Sequence, residues 1–349
     1  MRDGNRLKGA LRSSRTALVR ISEESKVPLI GAIPFGLIDR GTNVIQVRPS
    51  SMCPLSCIFC STDAGPNSRT RLAEYLVDLD YMIAYFEKLV DFKGIDDIEG
   101  HIDTVGDPLT YPYLTDLIKR LKQDPRVKIV SIQTHGHLLT EEKVYEMEEA
   151  GLDRINLSID SLDAGRARLL SGSPYYDVGK VKELAKTITE RTNIDLLIAP
   201  VWIPGINDKD MPKLIEFALS IGAGKRWPPL GIQKYIPHRL GRKPKNIKPM
   251  SWTKFYSALE CWESEFGVKL ILSPKDFGTH LAPKLPNVMK LGQVVRARII
   301  GLGWRKGEAL AVAKNRVLMI LNAASLPLGS EVRVRIIRDK DNIYVGKLV

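Results

Sequence analysis

The sequence predicts an α/β protein in two parts: a parallel sheet built from repeated strand–helix units, then a small all-β barrel. Between residues 43 and 235 short apolar strands alternate with amphipathic helices, a pattern that demands parallel pairing through right-handed crossovers. From Leu291 onward five short strands follow one another across tight turns, the rhythm of a small β-barrel. Between the first strand and the first helix, Ser51–Ser61 reads SMCPLSCIFCS and gathers three of the four cysteines into eight residues.

The chain has 349 residues, enough for one large or two unequal domains with a sizeable core. Its 44% hydrophobic and 26% charged residues are ordinary for a soluble globular protein. No apolar run approaches bilayer length, and the Arg-rich start, Met1–Arg20, lacks the apolar centre of a secretory signal, so a cytoplasmic location without membrane contact is expected. Few, clustered cysteines argue against a disulfide scaffold and for a reducing compartment. The net charge of +12 suggests a polyanionic partner, because cations that neutralise phosphates release counterions; a solvated positive surface is the plainer alternative.

Residues 1–42 form an N-terminal lead, expected to hold one helix and a turn. Asn43–Arg48, NVIQVR, is a β-branched strand that delivers the cysteine loop, and Pro54 directly after Cys53 keeps that loop out of helix. A helix over Leu79–Phe92 ends before Gly94. Further strands are predicted at Ile98–Thr104, Val127–Thr134, Arg154–Ile159, Ile194–Val201 and Leu230–Tyr235, and helices at Tyr113–Lys122, Glu141–Ala150, Tyr176–Glu190, Met211–Ile221 and Ser251–Phe266. Phe277–Pro286 is a Gly- and Pro-punctuated linker. The terminal strands are Val294–Ile300, Ala309–Val312, Arg316–Ile320, Ser330–Ile337 and Ile343–Leu348. In parallel sheets ligands sit at the carboxyl ends of the strands, so the residues just after each strand are the candidates for chemistry.

Cys53, Cys57 and Cys60 are spaced to wrap three corners of a cubic iron–sulfur cluster, thiolate being the ligand such iron prefers; the fourth iron stays open to a small chelating molecule. Zinc is the alternative, with a remote fourth ligand such as Cys261 or His280. The run Cys53-x-x-x-Cys57-x-Phe59-Cys60 resembles the signature of the radical S-adenosylmethionine (SAM) enzymes. That resemblance implies a partial (βα)6 barrel, a 4Fe-4S cluster on the three cysteines, SAM on the open iron, and an electron that splits SAM into methionine and a 5′-deoxyadenosyl radical. It also places Phe59 beside the adenine.

Gly106-Asp107-Pro108, after the second strand, resembles the family's Gly-Glu-Pro loop, whose backbone holds the SAM amino group; a plain turn is the other reading. Asn156, Ser158 and Asp160 follow at a period of two and share one face of the fourth strand. In the related enzymes that strand contacts SAM; a solvent-facing strand is the alternative. Pro200–Asn207 resembles the segment that packs on adenine, with Ile203 and Ile206 as the contacts. His135 and His137, after the third strand, face substrate or cap the next helix. Tyr235, with Gln233 and Lys234, closes the mouth or touches substrate. Cys261 is either a small buried hydrophobe or a catalytic thiol. His135, Tyr235 and Cys261 are thus the catalytic candidates.

Gly222–Met250 carries eight basic residues and no acidic one, interleaved with Trp227, Tyr235 and His238. Lys225, Arg226, Arg239, Arg242 and Lys243 there suit looped or single-stranded nucleic acid, or form a solvated loop. Leu291–Val349 carries eleven basic residues against four acidic, more than half of the net charge. Its segments GQVVRARIIGLGWRKGEALAV, RVLMILNAA and GSEVRVRII resemble a TRAM domain, an OB-like module of RNA-modifying enzymes, with Arg296, Arg298, Arg305, Lys306, Arg333 and Arg335 as RNA contacts. OB-like barrels also bind proteins or brace a neighbour. The expected division is 1–42, lead; 43–285, partial barrel; 286–349, TRAM-like barrel. Together the resemblances imply an archaeal-type radical SAM enzyme that modifies an RNA, with transfer RNA the expected substrate and a separate electron donor. Sulfur insertion from a second cluster is not expected, since no cysteine precedes Cys53. A radical enzyme acting on a peptide or small molecule, and a metal-containing RNA binder without catalysis, are the alternatives.

Overall fold

A computed structural model describes residues 16–349. The lead differs from expectation: among the described residues it holds strands, not a helix. β1 (Ala17–Ile21) and β2 (Gly36–Asp39) flank a segment broken by Pro28 and Pro34; β1 completes its backbone bonds against a distant strand and β2 against the strand that follows it. The first fifteen residues of the lead lie outside the described part.

β2 pairs antiparallel with β3 (Val44–Arg48), and β3 opens a parallel series: β5 (Ile98–Ile102), β6 (Val127–Thr134), β7 (Arg154–Leu157) and β8 (Asp195–Ile198), in that spatial order. β1 pairs in parallel with β4 (Ala73–Val77), a strand the sequence pattern does not announce. The predicted strand Ile194–Val201 breaks at Pro200, which has no N–H to give, and resumes as β9 (Val201–Trp202) beside β10 (Gln233–Lys234). Bonds from the N–H groups of Gly231, Gln233 and Tyr235 to the carbonyls of Ile198, Pro200 and Trp202 carry the ladder across the break. The sixth parallel strand is therefore present, though only two residues of it are regular.

The crossover helices are α1 (Leu79–Lys93), α2 (Leu114–Lys122), α3 (Glu141–Glu149), the unforeseen α4 (Ala164–Ser171), α5 (Val178–Arg191) and α6 (Met211–Ser220), with α7 (Trp252–Phe266) after the last strand. α1 shows how local chemistry sets their ends: Asp78 accepts from the N–H of Tyr81, and Gly94 closes the helix at φ 58°. α4 likewise starts on Asp163 and ends on Gly172.

The carboxyl-terminal strands β11 (Val294–Leu302), β12 (Ala309–Ala313), β13 (Arg316–Leu321), β14 (Glu331–Arg338) and β15 (Val345–Leu348) close into a barrel in the order β11-β12-β13-β15-β14. Alternation is clean on β11, where Val295, Ala297 and Ile299 point inward and Arg296 and Arg298 outward. This barrel is not a pendant module. Trp304, Leu310, Val317 and Met319 belong to the core of the larger barrel. The N–H of Val317 bonds Ile30 O at 3.0 Å, and that of Leu72 bonds Trp304 O at 2.9 Å. Gly31 lies so close beneath β13 that a Cβ there would stand 2.0 Å from Val317 O.

Candidate active site

At the carboxyl end of β3 the chain enters the cysteine loop, and Cys53, Cys57 and Cys60 all line one cavity of about 510 Å³. Phe59, Gly106, His135 and Tyr235 share its wall with Arg48 and Asp103. Two arginines hold the loop in place. Arg71, buried, gives Nη1 to Ser51 O at 2.6 Å and Nη2 to Val105 O at 2.5 Å, tying the loop's start to the Gly106 turn. Arg242 gives Nη1 to Asp63 at 2.8 Å and Nη2 to Ala64 O at 2.5 Å, while its backbone N–H bonds Cys60 O at 2.8 Å. The sequence pattern assigns Arg242 to RNA; its guanidinium is instead committed to the loop.

Burial pushes the Cys53 thiol up to about 12, with the Asp107 charge adding to it. Burial, and then the Cys53 charge, push Cys57 well above the usual thiol range. These two sulfurs are poor thiolates until a metal centre holds them so. Among the described residues no three His, Cys, Asp or Glu side chains converge where one ion would sit. The fourth ligands that zinc would need lie elsewhere: Cys261 is exposed on α7, and His280 Nε2 pairs with Asp97 at 2.6 Å. A cubic cluster wants its thiolates at separate corners around a cavity, so the donor set fits 4Fe-4S.

Gly106 closes on the cysteine loop so tightly that a Cβ would lie 1.9 Å from Met52 O. Asp107 is buried beneath it. Its carboxylate accepts from the N–H of Leu109 at 3.0 Å and of His135 at 3.1 Å, and from Thr134 Oγ1 at 2.9 Å. The side chain therefore locks the turn to the end of β6, and it is the backbone that fronts the cavity. His135 stands on the wall with Nε2 3.8 Å from Cys57 Sγ. Neither His135 nor His137 caps α3; Thr140 does, accepting from the N–H of Lys143 at 3.1 Å.

Asn156, Ser158 and Asp160 face the barrel interior, and the solvent-facing alternative falls. None of them reaches the cavity wall. Asn156 accepts from Arg154 Nε at 3.1 Å, Ser158 from Gln133 Nε2 at 2.7 Å, and Asp160 from the N–H of Val201 at 2.8 Å. Burial pushes the Asp160 carboxyl up. They belong to a polar lumen that also holds Ser131, which donates to Glu99 at 2.6 Å, and Arg154, whose Nη2 meets Glu99 at 2.5 Å. At its amino-terminal end Arg154 lies under the rings of Trp227 and Phe277, at 4.7 and 5.3 Å.

Tyr235 faces the cavity, and burial pushes its phenol up, so it is a neutral hydroxyl there. Ile203 is buried behind that wall with Leu170 and does not reach the cavity. Ile206 lines a neighbouring groove of about 720 Å³. Cys261 is exposed and off the cavity, neither a buried hydrophobe nor a catalytic thiol for this site.

The basic residues separate into four places. Lys225 and Arg226 sit at the wrong end of the barrel: the Lys225 Nζ bonds Thr192 O at 2.5 Å, and both backbone N–H groups meet Asp195, the first residue of β8. Arg239 and Lys243 border the groove that carries Ile206. Arg305 stands where the two barrels meet, with Lys306 exposed beside it. Arg296, Arg298, Arg333 and Arg335 form an outward ladder on β11 and β14, where Arg296 sits directly opposite Arg333, on the side of the small barrel away from β13.

Sequence reading misses Arg71, a lone arginine with no local signal, and Trp252. The latter is half exposed, stacks on Tyr256 at 5.7 Å and lies 4.6 Å from Nζ of Lys234, a residue of the cavity wall. Among the described residues no helix is long and apolar enough to cross a membrane.

Residues 47–218 match the family described as the Radical SAM superfamily. An uncharacterized protein of Methanocaldococcus jannaschii is 42% identical over 365 residues, covering 99% of this chain and 83% of its own. GTP 3′,8-cyclase of Chlorobaculum tepidum is 24% identical over 222 residues, 64% of this chain and 62% of the cyclase, so the chain spans about three-fifths of that relative. Among solved structures, Streptococcus suis SuiB bound to S-adenosylmethionine overlays with a TM-score of 0.47 at 16% identity, over 71% of this chain and 48% of SuiB.

Proposed function

The chain belongs to the radical SAM superfamily, and from that premise we propose that it cleaves SAM reductively and modifies an RNA, with transfer RNA the expected substrate. When bound, the 4Fe-4S cluster supplies the electron that splits SAM and releases a 5′-deoxyadenosyl radical. Cys53, Cys57 and Cys60 would hold it; Arg71 and Arg242 keep the loop from shifting; the Gly106 backbone at the cavity wall would meet the SAM amino group. Phe59 and Tyr235 wall the cavity and exclude water, while Asn156, Ser158 and Asp160 brace the wall from the lumen.

The observation that carries RNA is continuity of charge. The groove lined by Arg69, Arg239, Lys243 and Lys245 meets the cysteine cavity at Arg242, so a phosphate backbone lying in the groove leads to the site of cleavage. The small barrel, read as a TRAM-like module, adds its arginine ladder, and Trp252 offers a stacking face at the rim. A cytoplasmic enzyme served by a separate electron donor completes this reading.

The test is anaerobic. Reduced, reconstituted protein should form 5′-deoxyadenosine from SAM, Cys57→Ala should abolish it, and Cys261→Ala should leave it unchanged. Mass spectrometry of RNA nucleosides from cells lacking the protein should show one modified nucleoside missing; an unchanged profile would remove RNA as substrate. A second reading, a small nucleotide, is favoured by the Arg48–Asp103 pair on the cavity wall and by the GTP in the cyclases' name.

A further inference from the structure

The seam between the two barrels encloses a second cavity of about 470 Å³, beside Ser61 and Thr62 of the cysteine loop. Three arginines border it: Arg239 from the loop after β10, Arg305 from the turn after β11, and Arg338 at the end of β14. Among the described residues none of these guanidiniums has a carboxylate partner, and Nε of Arg305 is buried without any hydrogen-bond partner. The one acid on the wall, Glu308, accepts from the backbone N–H of Arg305 at 3.1 Å and is itself pushed up by burial. Glu308 offsets part of the Arg305 charge, but three guanidiniums face this cavity against that one acid, and the buried Nε of Arg305 is left for a ligand oxygen to satisfy.

The geometry holds Arg305 ready. Its guanidinium lies over the Trp304 ring at 4.3 Å, and Arg71 lies over the same ring at 5.1 Å. Trp304 is thus a fixed shelf, anchored by the loop clamp Arg71, that sets the plane of the Arg305 fork. A planar fork fixed by stacking suits bidentate capture of a tetrahedral oxyanion. Ser61, Thr62 and His238 complete the wall.

We propose that Arg305, Arg239 and Arg338 form a phosphate-binding pocket at this seam, which takes one phosphate ester of the substrate and so sets how far from the cysteine loop its reacting part lies. The pocket deepens the RNA reading and rests on it only for the source of the phosphate, an RNA phosphodiester rather than a free nucleotide.

Isothermal titration of the full-length protein with two probes, GTP and a mixed-sequence single-stranded RNA, tests it. Arg305→Gln and Arg338→Gln should each weaken binding of at least one probe about tenfold, the worth of one charge-assisted contact. Arg305→Lys should restore only part, since an ammonium lacks the fork, and Arg191→Gln at the end of α5, paired with Glu141 away from every cavity, should leave binding of both probes unchanged. Arg338 is exposed, so its variant remains readable if changes at Arg305 disturb folding. Loss of GTP binding in a protein that ignores RNA keeps the pocket and removes the RNA reading. Binding of both probes untouched by both substitutions, or a protein that binds neither probe, overturns the pocket; the former, with RNA still bound, leaves the RNA reading standing.

Discussion

Arg242 donates Nε to the carbonyl oxygen of Cys57 at 2.7 Å, across 185 positions of sequence. The last turn of the larger barrel thereby reaches back and grips the loop that the first strand delivers. Gly241 makes the approach feasible, since a Cβ there would stand 2.7 Å from Cys60 O.

Arg242→Ala should remove these charge-assisted bonds and destabilise the fold by roughly 2 kcal/mol. More tellingly, the iron bound per chain after reconstitution should fall and the electron paramagnetic resonance signal of the reduced cluster should broaden, with Arg242→Lys intermediate. An unchanged spectrum with unchanged iron content would show that the loop holds itself.

Gly106→Ala places a methyl 1.9 Å from the Met52 oxygen and 2.5 Å from its carbon, both backbone atoms that cannot swing aside. The expected cost is about 1–3 kcal/mol from overpacking, with the turn displaced from the cysteine loop. SAM affinity measured by equilibrium dialysis should drop sharply while the thermal transition stays cooperative.

Asp63 links the cysteine loop to Arg242 and should shape stability in acid. Burial opposes its charge but is outweighed by bonds from the hydroxyl and N–H of Thr70, the N–H of Arg69 and the nearby Arg242, so its carboxyl titrates below the usual range. The stabilisation is complete above the unfolded value near pH 4 and disappears as pH falls through the lower folded value. Urea midpoints of the wild type and Asp63→Asn should therefore converge as pH drops from about 5 to about 3. A constant gap would assign the acid sensitivity to another group.

Replacing Arg296, Arg298, Arg333 and Arg335 together by glutamine should lower the slope of log affinity for RNA against log salt by roughly 3, since each phosphate no longer neutralised removes slightly under one unit. Substitution is the proper test here. Deleting the small barrel would strip Trp304, Leu310, Val317 and Met319 from the shared core and confuse binding with folding.

What is legible in the sequence is local. The cysteine spacing, Gly94 after a helix and the β-branched run of β3 each carry their meaning within a few residues. The β1–β4 ribbon does not, because Ala17 meets Ala73 only once the chain is folded. Glu99 and His101 alternate with apolar neighbours as on any half-exposed strand, yet their polar face looks into a barrel. Charge counting finds the right stretch but cannot tell its ends apart: Lys225 and Arg239 are fourteen positions apart in one basic run, and one seals the bottom of the barrel while the other stands near its mouth. The Pro-Gly segment Pro204-Gly205 suggests an adenine contact, but the core claims Ile203.

The rings of Trp227 and Phe277 over Arg154, with Asp195 gathering three backbone N–H groups beside them, make the lumen a blind alley. Whatever occupies its depth has to arrive before the entrance fills and depart after it clears. Traffic through a single doorway is last in, first out, so a molecule seated at the threshold becomes the gatekeeper for anything resting behind it.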